Sequence, residues 1–92
     1  MGAASEQVMA QMRAALERAL APSALEIVDD APRHAGHAAA GGGHFRVMLV
    51  AEGFRGRSRL ERHRMVYAAL APLLKASVHA LNITARTPEE KD

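Results

Sequence analysis

The chain contains no cysteine among its 92 residues. Without thiols it can form no disulfide, no thiolate zinc site and no cysteine nucleophile. Any metal ligand that it supplies must therefore be a histidine or a carboxylate. Aromatic side chains are also scarce. The chain has only two phenylalanines and one tyrosine, and no tryptophan. The chain thus offers few surfaces on which the bases of single-stranded RNA could stack.

The sequence also lacks long apolar runs. No segment is long and apolar enough to cross a bilayer, and the N-terminus lacks the basic stretch and apolar run of a secretory signal. We therefore expect a cytoplasmic protein that makes no membrane contact. The pattern contains no activated nucleophile, no carboxylate pair on one face and no phosphate-binding loop, so we do not expect an enzyme.

Positive charge is concentrated in one stretch. The formal net charge is only +2, which by itself does not indicate a nucleic-acid partner. Five arginines nevertheless fall within residues 55–64. Most charge runs of this kind are solvated surface, and contacts with phosphates or with an acidic partner protein are the functional alternatives. The five are Arg55, Arg57, Arg59, Arg62 and Arg64.

A glycine-containing turn leads into an amphipathic helix in the second half of the chain. Ser58 and Glu61 have the spacing of a capping box, which predicts that the helix begins there. Helical periodicity groups the apolar residues into one inward arc with His63 near its middle. We therefore interpret His63 as a structural core histidine and expect Arg62 and Arg64 to point toward solvent. The predicted arc contains Leu60, Val66, Tyr67, Leu70 and Leu74.

The rest of the chain alternates between helical and strand periods. Ser5 can cap a first helix, and Pro22 and Pro72 mark helix ends. The strand from residue 44 alternates well, with Phe45 and Val47 on the same face. The predicted elements are a helix over residues 5–20, strands over 24–30 and 44–51, a helix from 58 to about 70, a possible further turn over 73–75 and a strand over 78–85.

This order of elements predicts an α+β domain. Three strands need a helical layer on one face, and the two main amphipathic helices can supply it. The expected fold is a three-stranded sheet covered on one face, in the order α-β-β-α-(short α)-β. We expect a single domain over residues 1–92, with residues 1–4 and 87–92 frayed.

Three histidines are candidate metal ligands. His34 and His37 form a His-x-x-His pair within residues 31–43, a connection rich in glycine and alanine. This spacing in a loop is a weak metal signal, because a loop does not fix the ligand geometry. His79 is predicted on the apolar face of the last strand, where a partly buried structural histidine is the usual interpretation.

Several short motifs occur along the chain in a fixed order. Any one of them alone would be a weak signal, whereas together they are specific. They are Val28-Asp29-Asp30, then His44-Phe45, Phe54-x-Gly56-x-Ser58, Arg62-His63-Arg64-x-Val66-Tyr67, Val78-His79-Ala80-Leu81 and Thr87-Pro88.

These motifs resemble those of the BolA family over nearly the whole chain, from about Ser5 to Pro88. The resemblance implies an α+β sandwich similar to the type II KH-like fold of nucleic-acid-binding domains, which agrees with the order derived above. It further implies a monothiol glutaredoxin as partner, with a [2Fe–2S] cluster shared between the two proteins. In such a complex the glutaredoxin and glutathione supply sulfur, and the BolA-like chain supplies a loop residue and the histidine of its last strand.

The resemblance assigns His79 as one ligand and leaves two choices for the other. His34 occupies the family's position when counted forward from the acidic pair, and His37 stays open as the alternative. The implied roles are iron–sulfur cluster trafficking and iron or redox regulation. We expect no cluster in the isolated protein and a monomer as its default free state.

The resemblance also leaves a second function open. Some bacterial members of the family are DNA-binding transcriptional regulators linked to stress and cell shape. In this chain the five clustered arginines would then contact DNA. Such binding should weaken steeply as salt is raised, because each phosphate contact releases counterions.

Overall fold

The computed structural model describes residues 2–29, 43–76 and 78–90. Its helices and strands follow the predicted order, so the α+β class is confirmed. A short 3₁₀-helix that the sequence did not predict precedes the central helix. The elements are α1 (Gly2–Leu20), β1 (Ala24–Asp29), β2 (Gly43–Val50), the 3₁₀-helix (Glu52–Phe54), α2 (Arg59–Ala69), α3 (Ala71–Ala76) and β3 (Val78–Arg86).

The three strands form one sheet in the order β1-β2-β3, with β2 in the centre. β2 runs antiparallel to β1 and parallel to β3, and the parallel pair requires a crossover connection, which α2 and α3 provide. The alternation predicted for β2 is confirmed, because Phe45, Val47 and Leu49 are all buried. Val47 pairs with Ile27 on one side and Ile83 on the other, so the core extends across all three strands.

α1 contributes two fully buried side chains to this core, Met12 and Leu16. The helix ends at Leu20 as predicted, but the predicted cap at Ser5 is wrong because the helix begins at Gly2. Two alanines separate Gly2 from Ser5, and alanine is the strongest helix former, so the helix extends through them.

No helix within the described ranges is long and apolar enough to span a membrane.

The predicted capping box at the start of α2 is confirmed. The Ser58 hydroxyl accepts a hydrogen bond from the Glu61 amide at 3.1 Å, and the Glu61 carboxylate accepts one from the Ser58 amide at 2.9 Å. In the turn just before it, Gly56 has a φ of 77°, a left-handed conformation that glycine adopts without steric cost. Local sequence therefore determines where α2 begins and how the preceding turn bends.

The predicted inward face of α2 is wrong in part. Val66 and Leu70 are fully buried as expected, but Leu60 is 59% exposed and Tyr67 is 42% exposed. Arg62 faces inward instead, with a side chain only 13% exposed. The buried stripe of α2 therefore includes a charged residue, and apolar periodicity could not reveal it because an arginine is assigned to solvent by default.

The helix break predicted near Leu70 is confirmed. α2 ends at Ala69, and Leu70 has φ of −100° and ψ of 7°. α3 then begins, with Pro72 in its first turn, where the missing proline N–H costs no helical hydrogen bond. The Leu70 carbonyl accepts hydrogen bonds from the amides of Leu73 and Leu74 at 2.8 and 3.0 Å.

Candidate functional site

The first candidate site lies where β3 begins. Gly43 pairs with Val78, whereas the next residue of β2, His44, pairs with Ala80. β3 therefore carries one extra residue at this point, His79, in a β-bulge. Bulges occur often beside functional sites, because the extra residue redirects a side chain or ends the pairing. The side chain of His79 lies outside the described residues.

The connection that bears the other two candidate ligands attaches at this same end of the sheet. It leaves β1 at Asp29 and enters β2 at Gly43. Gly43 pairs with Val78 at the start of β3, and Asp29 pairs with Phe45 of β2 at the same end of the sheet. His34 and His37 themselves lie outside the described residues. We call this region, defined by Asp29, Gly43 and His79, the histidine end of the sheet.

Metal binding at the histidine end would need ligands beyond the described part of the chain. Among the described residues, no group of three or more histidine, aspartate or glutamate side chains could hold a metal ion. His44 is half-buried at this end of the sheet and already has an interaction partner. The undescribed connection or a second molecule must therefore supply further ligands.

The second candidate site is a groove at the opposite end of β3. It has a volume of about 510 Å³ and lies between the start of α2 and the last residues of β3. Because a strand rises about 3.3 Å per residue, Ala85 lies on the order of 20 Å from His79 along β3. The groove, which we call the basic groove, is lined by Arg57, Arg59, Arg62, His63, Ile83, Thr84, Ala85, Arg86 and Glu90.

The basic groove agrees only partly with the predicted arginine cluster. Arg55 and Arg64 do not line it, while Arg57, Arg59 and Arg62 do. Arg86 also lines the groove and was not among the predicted residues. Arg86 follows the cluster by more than twenty residues, and only the parallel pairing of β2 with β3 brings it close. That pairing left no local signal in the sequence.

Arg62 is an anchored residue of the groove wall and does not point toward solvent as predicted. Its Nε donates to the Arg57 carbonyl at 2.9 Å, and its Nη1 donates to the Ala85 carbonyl at 3.1 Å. The two terminal nitrogens also bind both carboxylate oxygens of Glu90, at 2.6 and 3.1 Å. The guanidinium carbon lies 5.9 Å from the centre of the Phe54 ring. Arg62 therefore joins α2, β3 and the segment that follows β3.

That segment, residues 87–90, was predicted to be frayed, but it forms a turn against the groove. Thr87 is 4% exposed, and its amide donates to the Glu90 carboxylate at 2.9 Å. The Glu90 amide in turn donates to the Thr87 carbonyl at 3.0 Å. Glu89 accepts a hydrogen bond from Arg55 at 2.8 Å, and Arg55 also binds Glu52 at 2.7 Å. We call residues 87–90 the acidic turn.

The glutamates of the acidic turn and their arginine partners shift each other's pKa values. The Arg62 guanidinium, together with the Thr87 amide, lowers the pKa of Glu90 to about 2. The hydrogen bond from Arg55 lowers the pKa of Glu89, and the same contact raises the pKa of Arg55. Both glutamates are therefore ionised at neutral pH. Two of the five predicted surface cations are already paired within the chain.

The remaining predicted residues divide by exposure. Arg57, Arg59 and Arg64 are exposed, and their side chains form no hydrogen bond or ion pair with the rest of the described chain. His63 is half-buried and lines the basic groove, so it lies beside the buried stripe of α2 and not at its centre. The structural role assigned to His63 stays a prediction.

Replacing Glu90 with glutamine should lower stability at neutral pH and have little effect in strong acid. The pKa of Glu90 is lower in the folded chain than its usual value of 4.5. Its charged contacts therefore stabilise the fold above pH 4.5, and this contribution disappears as the pH falls toward 2. Thermal unfolding of both proteins should show a gap of about 1 to 5 °C at pH 7. If the difference in unfolding temperature between the two proteins did not narrow between pH 5 and pH 2, the charged contacts of Glu90 would not be the source of the stability.

Comparison with known proteins finds matches to one family. A family model described as BolA-like protein matches residues 16–90. The chain is 46% identical over 90 residues to BolA-like protein 1 of Mus musculus, covering 96% of this chain and 64% of that protein. It is 41% identical over 86 residues to a protein of Escherichia coli strain K12 named DNA-binding transcriptional regulator BolA, covering 92% of this chain and 76% of that protein.

A solved structure has the same fold. The BolA domain of SufE1 from Arabidopsis thaliana matches with a TM-score of 0.80 at 40% identity, and the match covers 99% of both chains. The chain spans just under two thirds of the length of the mouse relative. The family match reaches from the second half of α1 to the acidic turn, and so includes both the histidine end and the basic groove.

Proposed function

The chain belongs to the BolA-like protein family, and from this membership we propose that it is an adaptor that docks on a monothiol glutaredoxin and co-ligates a [2Fe–2S] cluster. Its roles are cluster trafficking or iron and redox regulation, and it has no catalytic activity of its own. The observation that carries the proposal is the bulge at His79. This bulge lies at the end of the sheet where the connection bearing His34 and His37 is attached.

The donor set of the chain fits a shared cluster and not a self-contained one. With no cysteine present, this chain can offer imidazole nitrogens, and the thiolates must come from the glutaredoxin and glutathione. The ligands of this chain are His79 together with His34 or His37. Neutral imidazoles in place of thiolates make a [2Fe–2S] cluster less negative and raise its reduction potential, as in Rieske centres.

An anaerobic titration tests the proposal. This protein is added to a monothiol glutaredoxin loaded with cluster and glutathione, and visible absorption and circular dichroism are recorded. Co-ligation should produce a new spectrum that saturates at one equivalent of added protein. Comigration of the two proteins on gel filtration with an unchanged spectrum would show docking without co-ligation, and it would refute the ligand assignment.

A second function is favoured by a different observation, the basic groove. Three exposed arginines and the groove beside them form a positive surface at the start of α2 and the end of β3. The Escherichia coli relative is named a DNA-binding transcriptional regulator. We propose that the basic groove binds the phosphate backbone of nucleic acid. The histidine end lies at the other end of β3, so one chain can carry both functions.

Replacing Arg57 and Arg59 with glutamine should weaken DNA binding and reduce its salt dependence. Each arginine that contacts a phosphate adds about 0.9 to the slope of log affinity against log salt, so the slope should fall by up to about 1.8. Fluorescence anisotropy with a labelled DNA duplex at several salt concentrations measures this. A matched variant with Arg13 and Arg18 of α1 changed to glutamine has the same net charge and should keep the original slope. Equal slopes for the two variants would exclude the groove as the DNA-binding surface.

The cytoplasmic location and the monomeric free state expected from the sequence stay predictions. The structure of the described residues contributes only that no helix there could span a membrane.

A further inference from the structure

We propose that the acidic turn competes within the molecule for the arginines that nucleic-acid phosphates would contact. When the turn is closed, Glu89 and Glu90 occupy Arg55 and Arg62. When a nucleic acid binds, phosphate oxygens replace these carboxylates and the turn swings away. This inference rests on the second proposed function, and it adds that the affinity of the basic groove is set partly by the chain's own glutamates.

The contact between Arg62 and Glu90 has the geometry that a phosphate would use. Both carboxylate oxygens of Glu90 face the two terminal nitrogens of the guanidinium, at 2.6 and 3.1 Å. Arginine binds carboxylates and phosphates through the same two-pronged arrangement. Glu90 therefore holds a position on the groove wall that two phosphate oxygens could take.

Arg62 would keep its position if Glu90 left. Its Nε donates a hydrogen bond to the backbone carbonyl of Arg57, and its Nη1 donates one to the backbone carbonyl of Ala85. These carbonyls belong to the turn before α2 and to β3, and neither is part of the acidic turn. The guanidinium is thus held in place by the rest of the domain, and opening the turn exposes a cation that is already oriented.

The acidic turn is built so that its glutamates can leave. The side chains of Glu89 and Glu90 are 60% and 44% exposed, so water and salt ions reach the carboxylate of each ion pair and weaken it. Thr87, in contrast, is 4% exposed and follows β3 directly. Thr87 can therefore anchor the segment while the two glutamates beyond it change partners.

The main test compares two charge-matched variants. In the first, Glu89 and Glu90 are both changed to glutamine, which removes the only carboxylate bound to Arg62 among the described residues and leaves Arg55 paired with Glu52. In the second, Glu17 and Glu26 are changed to glutamine, which alters net charge equally at positions outside the groove and also frees Arg13 from its ion pair with Glu17. Affinity for a short mixed-sequence DNA duplex is measured at one salt concentration. The first variant should bind about tenfold more tightly than the second, because a phosphate no longer has to displace a carboxylate from the Arg62 guanidinium.

A second measurement follows the turn in the wild-type protein. In the free chain the Thr87 amide is hydrogen-bonded to the Glu90 carboxylate. Addition of the same duplex should break this bond, shift the NMR signals of the Thr87 and Glu90 amides and speed hydrogen exchange at Thr87. This measurement needs no substitution, so it stands even if a variant folds poorly.

The outcomes separate the inference from the function on which it rests. Duplex binding by the wild type with unmoved Thr87 and Glu90 signals, or equal affinities for the two variants, would overturn the competition and leave groove binding intact. Absence of duplex binding by the wild type and by the variant with glutamines at 89 and 90 would overturn both. Binding by that variant alone would support the competition in its strongest form.

Discussion

Replacing His79 with alanine is expected to abolish the new visible spectrum that the wild-type protein produces with a cluster-loaded monothiol glutaredoxin. His79 is the one candidate ligand whose backbone belongs to a described element, β3. His79 is the extra residue of the bulge between Val78 and Ala80, which distinguishes it from the rest of the strand. Loss of its imidazole removes the donor that the sheet itself positions, so the expected effect is complete loss and not a shift.

The connection histidines should behave differently from His79. His34 and His37 are three residues apart on one connection, so either ring could serve as the second ligand when the other is missing. Single alanine variants at these two positions should therefore keep part of the spectral change. The double variant should match the His79 variant. Full loss from one single variant would identify the loop ligand and exclude the other histidine.

His63 provides the matched control for the His79 experiment. It is half-buried and lines the basic groove, which lies at the opposite end of β3 from the histidine end. His63→Ala should leave the spectral change intact, while far-UV circular dichroism checks that each variant is folded. Retention of the spectrum in His79→Ala, with the fold unchanged, would refute co-ligation by His79. Its loss in His63→Ala, again with the fold unchanged, would place a ligand where the structure shows a groove wall.

Two features that depend on local sequence, the buried face of β2 and the start of α2, were predicted correctly, whereas the start of α1 was not. The alternation of Phe45, Val47 and Leu49 specifies one buried face of β2 in any sheet that covers that face. The capping box of Ser58 and Glu61 closes within a single turn of backbone. In both cases the residues that decide the structure are a few positions apart, so the sequence pattern contains the whole interaction.

The face of α2 could not be predicted in this way. Arg62 turns inward because the carbonyls of Arg57 and Ala85 and the carboxylate of Glu90 accept its hydrogen bonds. The last two lie more than twenty positions away in the sequence, and only the folded chain brings them near. Assigning Arg62 to solvent rotated the predicted stripe and placed Tyr67 wrongly inside.

Contacts between distant parts of the chain also account for the residues that the sequence did not predict at the candidate sites. Arg86 joins the basic groove through the parallel pairing of β2 and β3, and no short motif encodes such a pairing. The acidic turn was predicted to fray because it is short, polar and terminal. Its contacts with Arg55 and Arg62 are again made across the fold. The candidate ligands, in contrast, were found from their similarity to a family pattern.

Replacing Phe54 with alanine should lower the free energy of unfolding more than any other single substitution near the basic groove. Phe54 is fully buried at the end of the 3₁₀-helix, and its ring lies beneath the Arg62 guanidinium. Removing a buried phenylalanine side chain costs about 3–5 kcal/mol, through lost transfer free energy and the cavity left behind. A small domain has a free energy of unfolding of only about 5–15 kcal/mol, so the variant should unfold at much lower urea concentration.

Tyr67→Ala is the matched control, because it truncates an aromatic side chain of similar size on the outer side of α2. Tyr67 is 42% exposed, so its loss should cost about 1–2 kcal/mol, less than the loss of a fully buried ring. Urea unfolding followed by far-UV circular dichroism gives both values, since the chain has no tryptophan for fluorescence. Equal losses for the two variants would contradict the observed face of α2 and restore the predicted one. A large loss for Phe54→Ala alone would mean that the turn bearing Arg55 and Arg57 is held in place by the core, which makes the basic groove a fixed feature of the fold.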